Sequence, residues 1–234
     1  MKLVTWNCNG ALRKKFNVLS SLKADIYIIQ ECEDPKQSKD VLYKEWANSY
    51  LWIGDTKNKG IGIFTSNKIS IEQLNWSNQF KDHSVKHFLP CLLNKKIQLL
   101  AVWTHQNNSP TFGYIGQFWK YLQTNKAHFK NIIIAGDFNS NAIWDKWDRW
   151  WNHSDCSKEL SELGIISAYH KLMDEKPGNE SQPTFFLQRN TNKPYHIDYF
   201  YLSDTFLTSN SYLTIGKKSK WIEISDHLPL ILEL

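Results

Sequence analysis

The sequence predicts a mixed α/β (α+β) fold. Three observations point there. Apolar runs of strand length recur along the chain, and several are nearly continuous, as strands covered on both faces should be. A few segments instead show apolar residues at helical spacing. Polar residues of one chemical character stand at the strand ends, from the first strand to the last. Because these come from both ends of the chain and its middle, a single domain over 1–234 is expected. No internal repeat, low-complexity tract or linker interrupts it.

Residues 2 to 7 read as a buried strand ending on Asn7, and Asn9-Gly10 is a turn signal. Residues 11 to 22 read as a helix, through Leu12, Phe16, Leu19 and Leu22. The apolar run Asp25 to Glu31 is a second strand, and a weaker helical pattern covers 36 to 46. Tyr50 to Gly54, Gly60 to Thr65, Ile69 to Leu74, Lys86 to Leu93 and Ile97 to Trp103 are short β candidates. Lys57 to Gly60 makes a hairpin turn, and Thr104-His105 sits just past the core strand ending at Trp103. Residues 112 to 126 form an amphipathic helix, and 131 to 135 another buried strand, followed by Gly136-Asp137-Phe138-Asn139-Ser140. A short helix over 155 to 163 is closed by Gly164, and Ile165 to Tyr169 reads as a strand. Pro177, Gly178 and Pro183 mark 174 to 183 as a loop. Thr184 to Phe186 and Tyr195 to Leu202 read as a hairpin pair. Lys217 to Lys220 is a basic loop before the final strand at Leu230.

Composition bounds the function. With 41% hydrophobic and 22% charged residues, the chain reads as a globular protein able to bury a sizeable core. A net charge of +5 permits a polyanionic partner without requiring one. Cys8, Cys32, Cys91 and Cys156 form no C-x-x-C pair, so no zinc knuckle or dithiol redox motif is visible, and reduced thiols of a cytoplasmic protein are expected. The N-terminus lacks the pattern of a signal peptide, and no apolar run approaches the ~20 residues of a membrane helix. The expectation is a cytoplasmic monomer with no membrane and no obligate protein partner. Eleven tryptophans are many, and most are expected in the core.

The strand-end residues are Asn7, Glu31, His105, Asp137, Asn139, Asp198, Asp226 and His227. Converging at one edge of a sandwich, they would form a pocket of four carboxylates, two carboxamides and two imidazoles. Packed carboxylates repel, and a hard divalent cation relieves that. Each residue also has a plainer reading. Asn7 and Asn139 could form turns, Glu31 a surface ion pair, and His105 a core contact. Asp198 lies between Ile197 and Tyr199 and needs a partner there. Trp144, Trp147 and Trp151, at i, i+3 and i+7, read as core or packed loop, or as a wall on which a base stacks.

The motifs Thr5-Trp6-Asn7-Cys8-Asn9-Gly10, Gln30-Glu31, Gly136 to Ser140, His196-Ile197-Asp198-Tyr199 and Ser225-Asp226-His227-Leu228-Pro229 stand in order over nearly the whole chain. They resemble the endonuclease/exonuclease/phosphatase superfamily, which includes exonuclease III, abasic-site endonucleases and deoxyribonuclease I. The resemblance implies a four-layer α-β-β-α sandwich of two mostly antiparallel sheets with helices outside. It implies Mg2+, with Mn2+ as a substitute, bound by Glu31 with Asn7 beside it and Asp226 sharing. Asp137 would activate water, Asn139 would hold water and a phosphate oxygen, and His227 would contact the phosphate with Asp198 behind it. His105 matches the deoxyribonuclease I branch, where a histidine assists the leaving group. The abasic-site branch places a tyrosine there and an arginine at His196, so both residues depart from that branch. Asn152-His153-Ser154 resembles a segment of bacterial members of the superfamily. Asn9, Trp144, Arg149, Asn152, His153 and His196 are the candidate substrate contacts.

The expected activity is metal-dependent phosphodiester hydrolysis, with nucleic acid, DNA or RNA, as substrate. The alternative is a phosphatase or phosphodiesterase on a small or lipid phosphate. A non-enzymatic scaffold is disfavoured by the complete set of reactive residue types.

Overall fold

The computed structural model describes residues 1–106 and 111–234. The main strands are β1 (Lys2–Asn7), β2 (Ile26–Cys32), β3 (Tyr50–Thr56), β4 (Lys59–Thr65), β5 (Ile71–Gln73), β6 (Phe88–Leu93), β7 (Ile97–Trp103), β8 (Ile132–Asp137), β9 (Ile165–Ser167), β10 (Asp198–Ser203), β11 (Tyr212–Ile215) and β12 (Leu230–Glu233). They build two six-stranded sheets, ordered β11-β12-β1-β2-β4-β3 and β9-β10-β8-β7-β6-β5. Each sheet is antiparallel except for one central parallel pair, β1–β2 in the first and β7–β8 in the second.

Side-chain alternation along the strands explains the layering. In β1, Leu3 enters the core between the sheets while Val4 and Trp6 join the outer cluster. In β7, Leu99 and Ala101 face the first sheet while Leu100 and Val102 face outward. Outside the first sheet lie α1 (Phe16–Ser20), α2 (Val41–Trp46) and α6 (Lys218–Trp221), through Phe16, Leu19, Tyr43 and Trp221. Outside the second lie α3 (Ile115–Asn125) and α4 (His153–Glu162), through Phe118, Tyr121, Leu122, Cys156 and Leu160. The result is a helix–sheet–sheet–helix sandwich.

Several elements differ from the sequence reading. The helix expected over 11 to 22 is broken at Lys15, whose φ of −126° leaves the helical region. The amides of Leu12 and Arg13 bond to Glu33 instead, at 2.6 and 3.4 Å, and Lys15 Nζ donates to Cys8 O at 2.6 Å. The strand at 165 stops at Ser167, where α5 (Ala168–Met173) begins and buries Tyr169 between the sheets. The hairpin near 184 is only a two-residue ribbon, Phe185–Phe186 against Pro194–Tyr195, and β10 separates from it to join the second sheet. The basic loop at 217 contains the one-turn α6. Strand β11 pairs with β12 on an alternation, Tyr212 to Ile215, too short to stand out in sequence.

Candidate active site

The topology brings the chemistry-bearing strand ends to one edge. β1 ends on Asn7, β8 ends on Asp137, and the antiparallel register sets Asp137 opposite Asp198 at the start of β10. Glu31 is delivered by a bulge. The pairing of β2 with β4 shifts between Gln30 and Cys32, and Glu31 adopts φ 60°. A bulge of this kind re-aims a side chain that regular pleating would send elsewhere. Gly136 is needed where β8 passes β7: at φ 152°, an added Cβ would meet Val102 O at 1.8 Å.

At the centre is an ordered chain of contacts. His227 Nδ1 lies 3.2 and 3.0 Å from the two carboxylate oxygens of Asp198, and its Nε2 lies 3.9 Å from Asp137 Oδ2. Asn7 Nδ2 donates to Asp137 Oδ2 at 2.9 Å and to Glu31 Oε1 at 3.4 Å. Asn139 donates its backbone amide to Asp137 Oδ1 at 2.8 Å and its Nδ2 to Asp137 Oδ2 at 3.1 Å. Its φ of 44° is one that asparagine tolerates, so the turn itself aims the amides at the carboxylate. Asn9 Nδ2 donates to Asp226 Oδ1 at 3.0 Å on the rim.

Burial sets the electrostatics. Asp137 is fully buried, and desolvation, with Asp198 nearby, pushes its carboxyl up to about 7 against the lowering effects of His227 and the amides of Asn7 and Asn139. Burial opposes a charged His227, but Asp198 first and Asp137 second outweigh it and hold the imidazole up at about 9. The pair is therefore a cationic imidazole beside a carboxyl that changes charge near neutrality.

Some supports escaped the sequence reading. Thr184 Oγ1 accepts from the amides of Ile197 and Asp198 at 3.0 and 3.2 Å. Ser225 Oγ donates to Asn7 O at 2.8 Å and accepts from His227 N at 3.1 Å. Trp6 Nε1 donates to His227 O at 2.9 Å, and Phe185 lies 4.5 Å from the His227 ring. Thr104 accepts Asn139 Nδ2 on its carbonyl at 3.1 Å. Ser225 and Trp6 stand inside the sequence motifs; Thr184 carries no signal beyond its place at the start of a hairpin strand.

Other candidates lie farther out. His105 is exposed just beyond β7, 5.6 Å from the ring of Trp103 and 6.1 Å from that of His87. Asn152 precedes α4, its amide donating to Asp155 and its side chain to the carbonyls of Lys146 and Arg149. His153 is buried behind the sheet with Nε2 3.0 Å from Tyr201 Oη. His196 is buried too, with Nδ1 2.7 Å from Gln182 O. As placed, neither presents its ring at the surface. The tryptophan stretch corrects the core expectation. Of these four only Trp151 is buried, its ring tilted against Phe112 at 4.2 Å, whereas Trp144, Trp147 and Trp150 are 45%, 98% and 62% exposed. The loop has too little regular structure to turn all four inward; Trp144 rests on Tyr195 at 5.1 Å.

Two donor sets could take a cation. Asp137, Asp198 and His227 offer ligand atoms within 4.8 Å of one another. That set is buried and already engaged in the contacts above. Glu31 and Asp226 are half-buried and offer hard oxygens at the rim, which suits an ion that keeps water and phosphate oxygens in its shell.

What this edge can do is hydrolysis at phosphorus. A carboxyl held near neutrality can accept a proton from water, and a buried cation beside it can meet growing negative charge. The sequence profile of the Endonuclease/Exonuclease/phosphatase family matches residues 4–227, and the chain belongs to that family. By class it is a phosphoric ester hydrolase. Among curated protein sequences none matches it. The structure is similar to a 3′-5′ exonuclease, NExo, from Neisseria meningitidis, with TM-score 0.73, 18% identity and coverage of 100% of this chain and 99% of that one. It is also similar to the 3′ phosphatase NExo from Neisseria bound to a product DNA hairpin, with TM-score 0.72, 18% identity and the same 100% and 99% coverage. An AP endonuclease from Archaeoglobus fulgidus gives TM-score 0.70 at 17% identity over 100% of this chain and 99% of that chain.

Proposed function

We propose that the chain, acting as one domain over 1–234, is a metal-dependent nuclease that hydrolyses phosphodiester bonds, with DNA as the first candidate substrate. The observation that carries this reading is the buried Asp198–His227 pair facing Asp137. Asp137 accepts the proton of the attacking water, and the amides of Asn7 and Asn139 fix its orientation. His227 donates from Nε2 to a phosphate oxygen, while Asp198 holds Nδ1 and keeps the ring charged. His105 stands at the rim for the leaving group. Glu31 and Asp226 are the residues that would hold Mg2+, or Mn2+ in its place, and such an ion would supply charge neutralisation at the phosphate. Asn7, whose Nδ2 binds two carboxylates, positions Glu31.

A polyanionic substrate suits the net charge of +5, the exposed Trp144 and, farther along the same loop, Arg149, whose guanidinium lies 5.8 Å from the Trp151 ring. Asn9 and Asn152 line up with the rim and the loop base, and His153 and His196 act from behind as positioning groups. Among the described residues no helix is long and apolar enough to cross a membrane. The similar exonuclease, AP endonuclease and DNA-bound phosphatase structures support nucleic acid over a small or lipid phosphate. The test is supercoiled plasmid with Mg2+ or Mn2+, beside Glu31→Ala, His227→Ala and a chelator. Metal-dependent nicking lost in both variants supports the reading. Folded, metal-loaded wild type that leaves plasmid and damaged or hairpin DNA intact, yet hydrolyses a small phosphate ester, overturns it.

A further inference from the structure

A lysine of the Lys57 to Gly60 hairpin turn meets Glu31 at this edge. Lys59, the first residue of β4, places Nζ 3.0 Å from Glu31 Oε2. The same Nζ lies 5.5 Å from the centroid of the Trp103 ring. Trp103 is buried and is the strand neighbour of Asp137 in the β7–β8 register. The Lys59 side chain is 52% exposed, whereas that of Glu31 is 19% exposed. In this one position the ammonium meets both the carboxylate and the aromatic face beside it. The β-bulge that aims Glu31 also aims it at this lysine, because Cys32 pairs with Gly60, the residue after Lys59.

We propose that Lys59 is a built-in counter-ion that competes with the divalent cation for Glu31 and, once displaced, passes its charge to a phosphate of the substrate. The inference rests on the reading above in which Glu31 holds the metal. A divalent ion bound at Oε2 would meet the ammonium at contact distance, and two cations cannot share that oxygen without strong repulsion. The lysine must then move. Its flexible stem and half-exposed head allow it, and the Trp103 face offers a cation–π resting place without leaving the edge. From there the ammonium stays on the Trp103 side of Asp137, away from Asp198. A polyanion passing this side would find a charge that Glu31 had held. Metal binding and substrate binding would reinforce one another through one side chain.

The plainer role is a hairpin ion pair of little consequence, since half-exposed pairs contribute little. Metal affinity separates the two. Isothermal titration of Mn2+ into the full chain, without substrate, compares wild type with Lys59→Met, which removes the charge but keeps a long unbranched side chain, and Lys59→Arg, which keeps the charge. Lys59→Met is expected to bind Mn2+ about fivefold more tightly, and Lys59→Arg about as wild type. Unchanged or weaker binding in a folded Lys59→Met overturns the proposal. Glu31→Gln serves as the control. Full heat retained in Glu31→Gln would remove the metal from Glu31 and overturn the underlying reading, a result distinct from failure at Lys59 alone. The second half is read from binding of a fluorescein-labelled oligonucleotide in Ca2+. The slope of log Kd against log salt should shrink by about one phosphate contact, ~0.7–0.9, in Lys59→Met. An identical slope would overturn that half.

Discussion

Asp137 and His227 carry the most testable consequence of the site, because one changes charge near neutrality and the other above it. Asp137 must be ionised to accept a proton, so the rate should rise with pH through about 7. His227 must keep its proton to meet the phosphate, so the rate should fall as pH passes about 9. A bell between those limbs in kcat/KM is the expected profile, and His227→Gln should flatten the alkaline limb. A profile that stays level from pH 6 to 10 would contradict the assignment. At this scale the site was largely legible in sequence. Asn7, Asp137, Asn139, Asp198 and His227 stand in local motifs whose chemistry shows in one dimension. Thr184 and Lys59 were not legible, because their value lies in contacts made across the fold to Asp198 and Glu31.

Elements divide by how much surface they bury. The loop after β8 holds one anchored tryptophan and three presented ones. Trp151→Ala should cost about 3–5 kcal/mol in stability, as for other large core truncations. Trp147→Ser, at a side chain 98% exposed, should stay within about 0.5 kcal/mol. Chemical denaturation of both variants checks the contrast. Tryptophan spacing alone could not distinguish them, since periodicity reports a helix only where a helix forms. The loop over 174 to 183 depends on Glu180, which accepts from His170 Nε2 at 2.9 Å, Asn141 Nδ2 at 3.0 Å and the Gly178 amide at 3.1 Å. Burial works against its charge, but these donors outweigh burial and hold the carboxyl down at about 2, from 4.5. A depressed carboxyl stabilises the fold fully above its unfolded value and loses that contribution as pH falls toward its folded one. Stability of wild type should therefore drop between pH about 4.5 and about 2, and Glu180→Gln should be less stable at neutral pH but lose less across that window. Equal acid sensitivity in the two proteins would contradict the network.

The whole molecule is two sheets whose central parallel pairs, β1–β2 and β7–β8, aim their carboxyl ends at the same edge. That convergence makes a site from residues 220 positions apart, Asn7 and His227. The buried strands were legible as apolar runs, whereas their arrangement as a sandwich was implied by the family resemblance. The broken helix near Lys15, the early stop at Ser167 and the ribbon at Phe185 were not legible, because tertiary hydrogen bonds decide them. The central claim is that this edge cleaves phosphodiesters through a carboxylate-held imidazole. Single-turnover cleavage of a labelled oligonucleotide by wild type and Asp198→Asn, at saturating metal and enzyme, tests it most directly. The account predicts cleavage slowed by about 10²–10³ with oligonucleotide affinity little changed. Equal cleavage rates in the two proteins would contradict it.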